Sequence, residues 1–135
     1  MTPEEARAFV ADNHRAVMVT RKSDGGVQTS PLTVGVDDEK IVISSRETAY
    51  KVRNLRRAPY ASYCGFTDRF FGDWVQVEGP VEIVPLPAAM ELLVAYYRSV
   101  SGEHPDWDDY RAAMERDRRV IVAITPERVG PRVAG

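Results

Sequence analysis

The 135-residue chain is the length of one ordinary domain, and its 44% hydrophobic and 28% charged residues suit a globular protein with its own core. A net charge of −2 excludes the global positive field of a nucleic-acid binder, and a single cysteine, Cys64, excludes an intrachain disulfide. No apolar run reaches the length of a membrane span, and the opening MTPEEARAF lacks the basic and apolar parts of a signal peptide, so a cytoplasmic protein is expected.

Thr2, Pro3 and Glu5 predict a capped helix start, with the helix running to about Asn13. Residues 16–20 read as a strand, 23–26 as a hairpin turn with glycines for positive φ, and 27–36 as the return strand. Pro31 cannot donate to a ladder and so marks an edge or a bulge. A second turn at 37–40 leads into the β-branched run Ile41, Val42, Ile43, completing an expected meander of three antiparallel strands. A basic helix follows, with Thr48 as its expected cap and its end at Arg57, because Pro59 disfavours helical geometry at Ala58. Residues 60–66 read as a fourth strand and 67–73 as a loop carrying Phe70 and Phe71. The alternation from Trp74 continues through Gly79-Pro80 to Val84 as one long bent strand. Helices are expected at about 87–100 and 106–116, a last strand at 119–125, and an irregular tail over 126–135. Six strands in mostly hairpin order, with helices inserted, indicate one mainly β domain over residues 1–135, an antiparallel barrel.

Ile41 to Pro59 organises the rest: a buried strand, the turn beginning Ser44-Ser45, then a helix carrying Lys51, Arg53, Arg56 and Arg57. At about 100° per residue, Ala49, Val52 and Leu55 face inward, while Tyr50, Lys51, Arg53, Asn54 and Arg57 face out. The pattern fits either a solvated helix face or an anion cradle at a helix start. Other chemistries lack their residues. There is no Gly-rich phosphate loop, no G-x-S-x-G and no run of Cys and His; Ser30 has no evident base; Cys64 reads as a buried, inert thiol. His14 and His104 sit among ordinary loop residues, and Asp106, Asp108 and Asp109 are explained as an acidic helix start.

The series Gln28-Thr29-Ser30-Pro31, Ser44 to Lys51, Asn54 to Pro59 and Trp74 to Gly79 resembles the split-barrel flavin and deazaflavin oxidoreductases, the pyridoxamine 5′-phosphate oxidase-like superfamily. The segment 97–111 looks like the actinobacterial branch that uses the deazaflavin coenzyme F420. The resemblance implies a six-stranded split β-barrel and a homodimer with the cofactor at the subunit interface. It implies that Lys51, with Ser44, Ser45 and Arg46 in the turn, holds the cofactor phosphate. Gln28 and Ser30 would lie near the rings, Asn54 would support the site, and Trp74 or Phe71 would flank the ring or substrate. Related deazaflavin members often carry an arginine where this chain has Ala49, and Arg46 is the expected substitute.

Such a site needs no protein nucleophile, because the cofactor carries the hydride chemistry. The expected function is F420-dependent reduction of a small organic acceptor. The competing readings are an FMN-binding oxidase of the same fold, a non-catalytic F420 carrier, and a nucleic-acid contact at residues 51–57 that the net charge opposes.

Overall fold

A computed structural model describes residues 1–130. Helix α1 (Pro3–Asp12) begins as the sequence predicts, with Thr2 Oγ1 accepting the Glu5 N–H at 3.1 Å, and it turns Ala6 and Val10 into the core. Strands β1 (Arg15–Arg21) and β2 (Val27–Thr33) form a hairpin whose tight turn uses Gly25 at φ +89°. The return strand expected over 27–36 breaks at Val34. Its second half, β3 (Gly35–Asp37), pairs instead with β4 (Lys40–Arg46). Then come α2 (Tyr50–Arg57), β5 (Tyr60–Phe66), β6 (Trp74–Val84), α3 (Ala89–Ser101), α4 (Trp107–Arg116) and β7 (Arg119–Ile124). A two-residue strand, β8 (Arg128–Val129), pairs with β6 inside the tail expected to be irregular. Residues 131–135 of that tail lie outside the described residues.

The hydrogen-bonded order is β2-β1-β5-β6-β7-β4-β3. Two long strands change partners midway and thereby join two half-barrels. β6 pairs with β5 over residues 74–80 and with β7 over residues 81–84; the β2–β3 stretch pairs first with β1 and then with β4. Eight strands thus replace the expected six, although β2 and β3 are one stave interrupted by a single residue. The expected three-strand meander is present, running from β1 through the β2–β3 stave to β4, and β4 takes its second neighbour, β7, from the far end of the chain. At the bend in β6, a Cβ on Gly79 would run into the carbonyl of Thr125, so only glycine lets the strands pass that closely.

Ile41, Ile43, Tyr63, Val75, Val77, Val122 and Ile124 fill the barrel, and Val52 and Leu55 of α2 join them. A second core forms outside, where Val42, Ile121 and Ala123 meet Leu93 and Val94 of α3 and Tyr110 of α4. β4 and β7 are therefore buried on both faces, which explains why their apolar residues run on without alternating. Among the described residues, no helix is long and apolar enough to cross a membrane.

Candidate functional site

Beyond β3 the two half-barrels diverge: β2 pairs with β1 and β4 with β7, and no ladder joins β2 to β4. The basic helix α2 follows β4 and packs against β1 and β6. Its N-cap is Ala49, extended at φ −63° and ψ 146°, with no side-chain cap bond; the expected cap, Thr48, is exposed and does not serve. Val52 and Leu55 point into the barrel as expected. Asn54 does not face out: it is 7% exposed, because its amide is drawn into hydrogen bonds beneath the helix. Asn54 Nδ2 donates to Thr20 Oγ1 and to Gln28 Oε1, both at 3.1 Å, and its Oδ1 accepts from the Arg57 guanidinium at 3.3 Å.

Lys51 is half-buried on α2. Burial first, and then the neighbouring Arg119 guanidinium, hold its ammonium below the ordinary lysine range. Arg119 opens β7 directly opposite Arg46 at the end of β4. Its Nε is buried without a hydrogen bond, and the nearest carboxylate, that of Asp117, is 3.9 Å away. Lys51 and Arg119 therefore meet where β4, β7 and the start of α2 converge, and Arg46, exposed at the end of β4, adds a third cation at their edge. Packing like charges together away from water is unfavourable unless an anion joins them. The residues fit a phosphate: an ammonium, two guanidinium groups and an orphaned N–H, beside the free amides of a helix start. Arg119 was invisible as a candidate in the sequence. It lies 68 positions from Lys51, and only the β4–β7 register brings it near.

The other expected site residues fall in different places. Ser44 and Ser45 lie on opposite faces of β4. Ser45 is 2% exposed and turned inward, its hydroxyl donating to the Arg46 carbonyl at 3.1 Å; Ser44 is half-buried on the outer side. Ser30 stands two residues from Gln28 on the same face of β2, opposite Met18. Trp74 is not brought to this group. It pairs with Phe66, which pairs with Arg15, whereas Gln28 pairs with Thr20. That separation along β1 is five residues, roughly 16 Å of strand. Trp74 instead lines a cleft with Met1, Phe9 and Asp12, and its indole Nε1 is buried without a partner. Phe70 and Phe71 stack edge-on at 5.0 Å and are both 81% exposed.

Two clefts flank α2. One, of about 330 Å³, is lined by Lys22, Ser23, Asp24, Gln28, Tyr50 and Asn54. The other, of about 440 Å³, is lined by Glu47, Thr48, Arg53, Arg56 and Arg118. Neither histidine reaches them: His14 Nδ1 bonds the Val34 carbonyl, and His104 Nδ1 accepts the Asp106 N–H within a cluster of Tyr97, Trp107 and Tyr110. Cys64 is half-exposed rather than buried, and partial burial pushes its thiol up, away from a reactive thiolate.

The sequence matches the family model described as pyridoxamine 5′-phosphate oxidase over residues 2–132. Among solved structures, a conserved hypothetical protein from Mycobacterium tuberculosis has a TM-score of 0.78 at 24% identity, covering 100% of this chain and 92% of that one. A protein described as an F420 reductase gives 0.72 at 20% identity, covering 92% and 94%. A heme storage protein from Vibrio cholerae gives 0.74 at 14% identity, covering 98% and 95%. At these identities the likeness to solved structures establishes the fold.

Proposed function

The chain belongs to the pyridoxamine 5′-phosphate oxidase family, and from that premise we propose that it is an oxidoreductase that binds coenzyme F420 and reduces a small organic acceptor. The observation that carries this reading is the half-buried Lys51 beside Arg119, with Arg46 opposite Arg119 across the β4–β7 ladder. The Asp117 carboxylate, 3.9 Å from Arg119 Nε, leaves that group with a positive excess, which suits the phosphate of a cofactor. When bound, the cofactor contributes the hydride chemistry. The protein's part is binding and orientation: Lys51, Arg46 and Arg119 would hold the phosphate, while Gln28, Asn54 and Tyr50 would border the ring. The cationic cleft at Arg53, Arg56 and Arg118 suits further acidic groups of the same molecule. FMN is the second reading, favoured by the activity for which the matching family is named.

A homodimer belongs to the same proposal. The outer face of β2, β1, β5 and β6 presents Val17, Val19 and Cys64, and Val27 and Tyr60 border it at 54% and 42% exposure. Val19, Val27 and Tyr60 share a shallow cleft there of about 210 Å³. A second copy is the natural cover for such a face, since isologous pairing needs no other complementary surface.

Fluorescence-quenching titration with F420, and with FMN in parallel, tests the reading. Lys51→Met and Arg119→Met are each expected to weaken cofactor binding about tenfold or more, as loss of a charge-assisted hydrogen bond does. Unchanged affinity in both variants would sink the assignment. Turnover of reduced F420 over quinones, enones and tetrapyrroles separates an enzyme from a carrier.

A further inference from the structure

The amide network under α2 has a direction. A guanidinium can only donate hydrogen bonds. The Arg57 bond at 3.3 Å therefore requires an oxygen from Asn54, which turns Asn54 Nδ2 toward Thr20 and Gln28. Nδ2 can only donate, so Gln28 must meet it with Oε1, and the Gln28 Nε2 group is left as the free end of that side chain. Arg57 is itself held, since its guanidinium also donates to the Arg21 carbonyl at 2.6 Å. Among the described residues, no protein acceptor bonds Gln28 Nε2, and Gln28 lines the cleft between α2 and the β1–β2 hairpin.

We propose that Arg57, acting through Asn54, fixes the polarity of Gln28 so that its Nε2 donates into this cleft, and that the cleft thereby selects a ligand edge that accepts hydrogen bonds, such as a ring carbonyl. An amide free to flip would serve donors and acceptors alike; a locked one discriminates, because a ligand N–H opposite Nε2 would face another donor. Tyr50 forms one wall and the hairpin residues Lys22 to Asp24 the other, which suits a planar ring presented edge-first to Gln28. Gln28 is thus a specificity-determining residue, and Asn54 and Arg57 are positioning residues. Only the identity of the ligand, the carbonyl edge of a deazaflavin or flavin ring, rests on the function proposed above.

The test joins side-chain amide NMR on the ligand-free protein to cofactor titration. In the wild type the Asn54 Nδ2 protons are expected to exchange slowly with solvent and the Gln28 Nε2 protons quickly. Arg57→Met should abolish the Asn54 protection and Arg57→Lys, a donor of the same sense, should keep it. Equal exchange in all three proteins overturns the relay. Gln28→Glu keeps the oxygen facing Asn54 but replaces the free donor with an acceptor. It is expected to weaken F420 or FMN binding by about tenfold or more, whereas Arg57→Met loses less and Arg57→Lys restores it. Binding as tight in Gln28→Glu as in the wild type overturns the selection. Should the wild type bind neither cofactor, the proposed function fails, and the amide resonances still decide the relay.

Discussion

Lys51 and Arg119 oppose each other in the ligand-free chain, and that opposition has a measurable sign. The folded state holds the Lys51 proton less tightly than the unfolded state does, chiefly through burial and then through Arg119. Well below both values the group is charged in either state, and the fold bears the full cost. As pH rises through the folded value toward the ordinary 10.5, the folded chain loses the proton first and the cost fades. The stability of the ligand-free protein should therefore climb across the window just below 10.5, and Lys51→Met should flatten that slope. Urea midpoints of both proteins, compared at several alkaline pH values, check this; parallel curves would mean that Lys51 is not strained. The sequence made Lys51 legible through its place in a basic helix. Arg119 was not legible, because nothing local marks a charge whose importance comes from strand register. Asn54 was misplaced for a related reason: the helical wheel sees one apolar arc, whereas a polar side chain is buried wherever partners such as Thr20 and Gln28 await it.

At the scale of elements, α2 starts without a cap, and the cationic group explains what a cap would do there. Ala49 is already extended, as an N-cap must be, and Val52 and Arg53 both donate to its carbonyl at 3.1 Å. Ala49→Ser is expected to add about 1 kcal/mol of stability by satisfying a free amide. Ala49→Asp should stabilise the free protein similarly, yet weaken phosphate binding, since its carboxylate would compete for the same cations and amides. Thermal melts with and without F420 separate the two effects: both variants melt higher alone, and only Ala49→Asp loses the ligand-induced rise. The bend in β6 makes the opposite case. Gly79→Ala places a methyl group against backbone that cannot move aside, so a loss of roughly 1–3 kcal/mol or more is expected, read as a lower urea midpoint. The Gly79-Pro80 interruption was legible as a corner. The break at Val34 was not, because Val34 is a β-branched apolar residue of the kind that continues a strand, and the change of partner there is imposed by closure of the barrel rather than by any residue preference.

For the whole molecule, the strand periods and turn residues disclosed an antiparallel barrel, because β1, β2, β5 and the first half of β6 carry their own alternation and β4 and β7 read as short apolar runs. How staves from distant parts of the chain meet was beyond that signal, and so was the fate of Trp74. Within one protomer Trp74 and Gln28 sit toward opposite ends of the half-barrel that β2, β1, β5 and β6 form, so a role for both at one ring requires two chains. The dimer proposed here then makes a sharp prediction. Lys51→Met protein and Trp74→Ala protein should each bind F420 poorly. Mixed and re-annealed at equal concentrations, half of the dimers are mixed, and in each of these one site collects both substitutions while the other is intact. About a quarter of the wild-type binding capacity should return. If Lys51 and Trp74 served the same site from one chain, every site in every dimer would keep a lesion, and mixing would recover nothing. A Val19→Glu substitution on the uncovered sheet face supplies the control, since light scattering should find it monomeric and its mixtures should fail to complement.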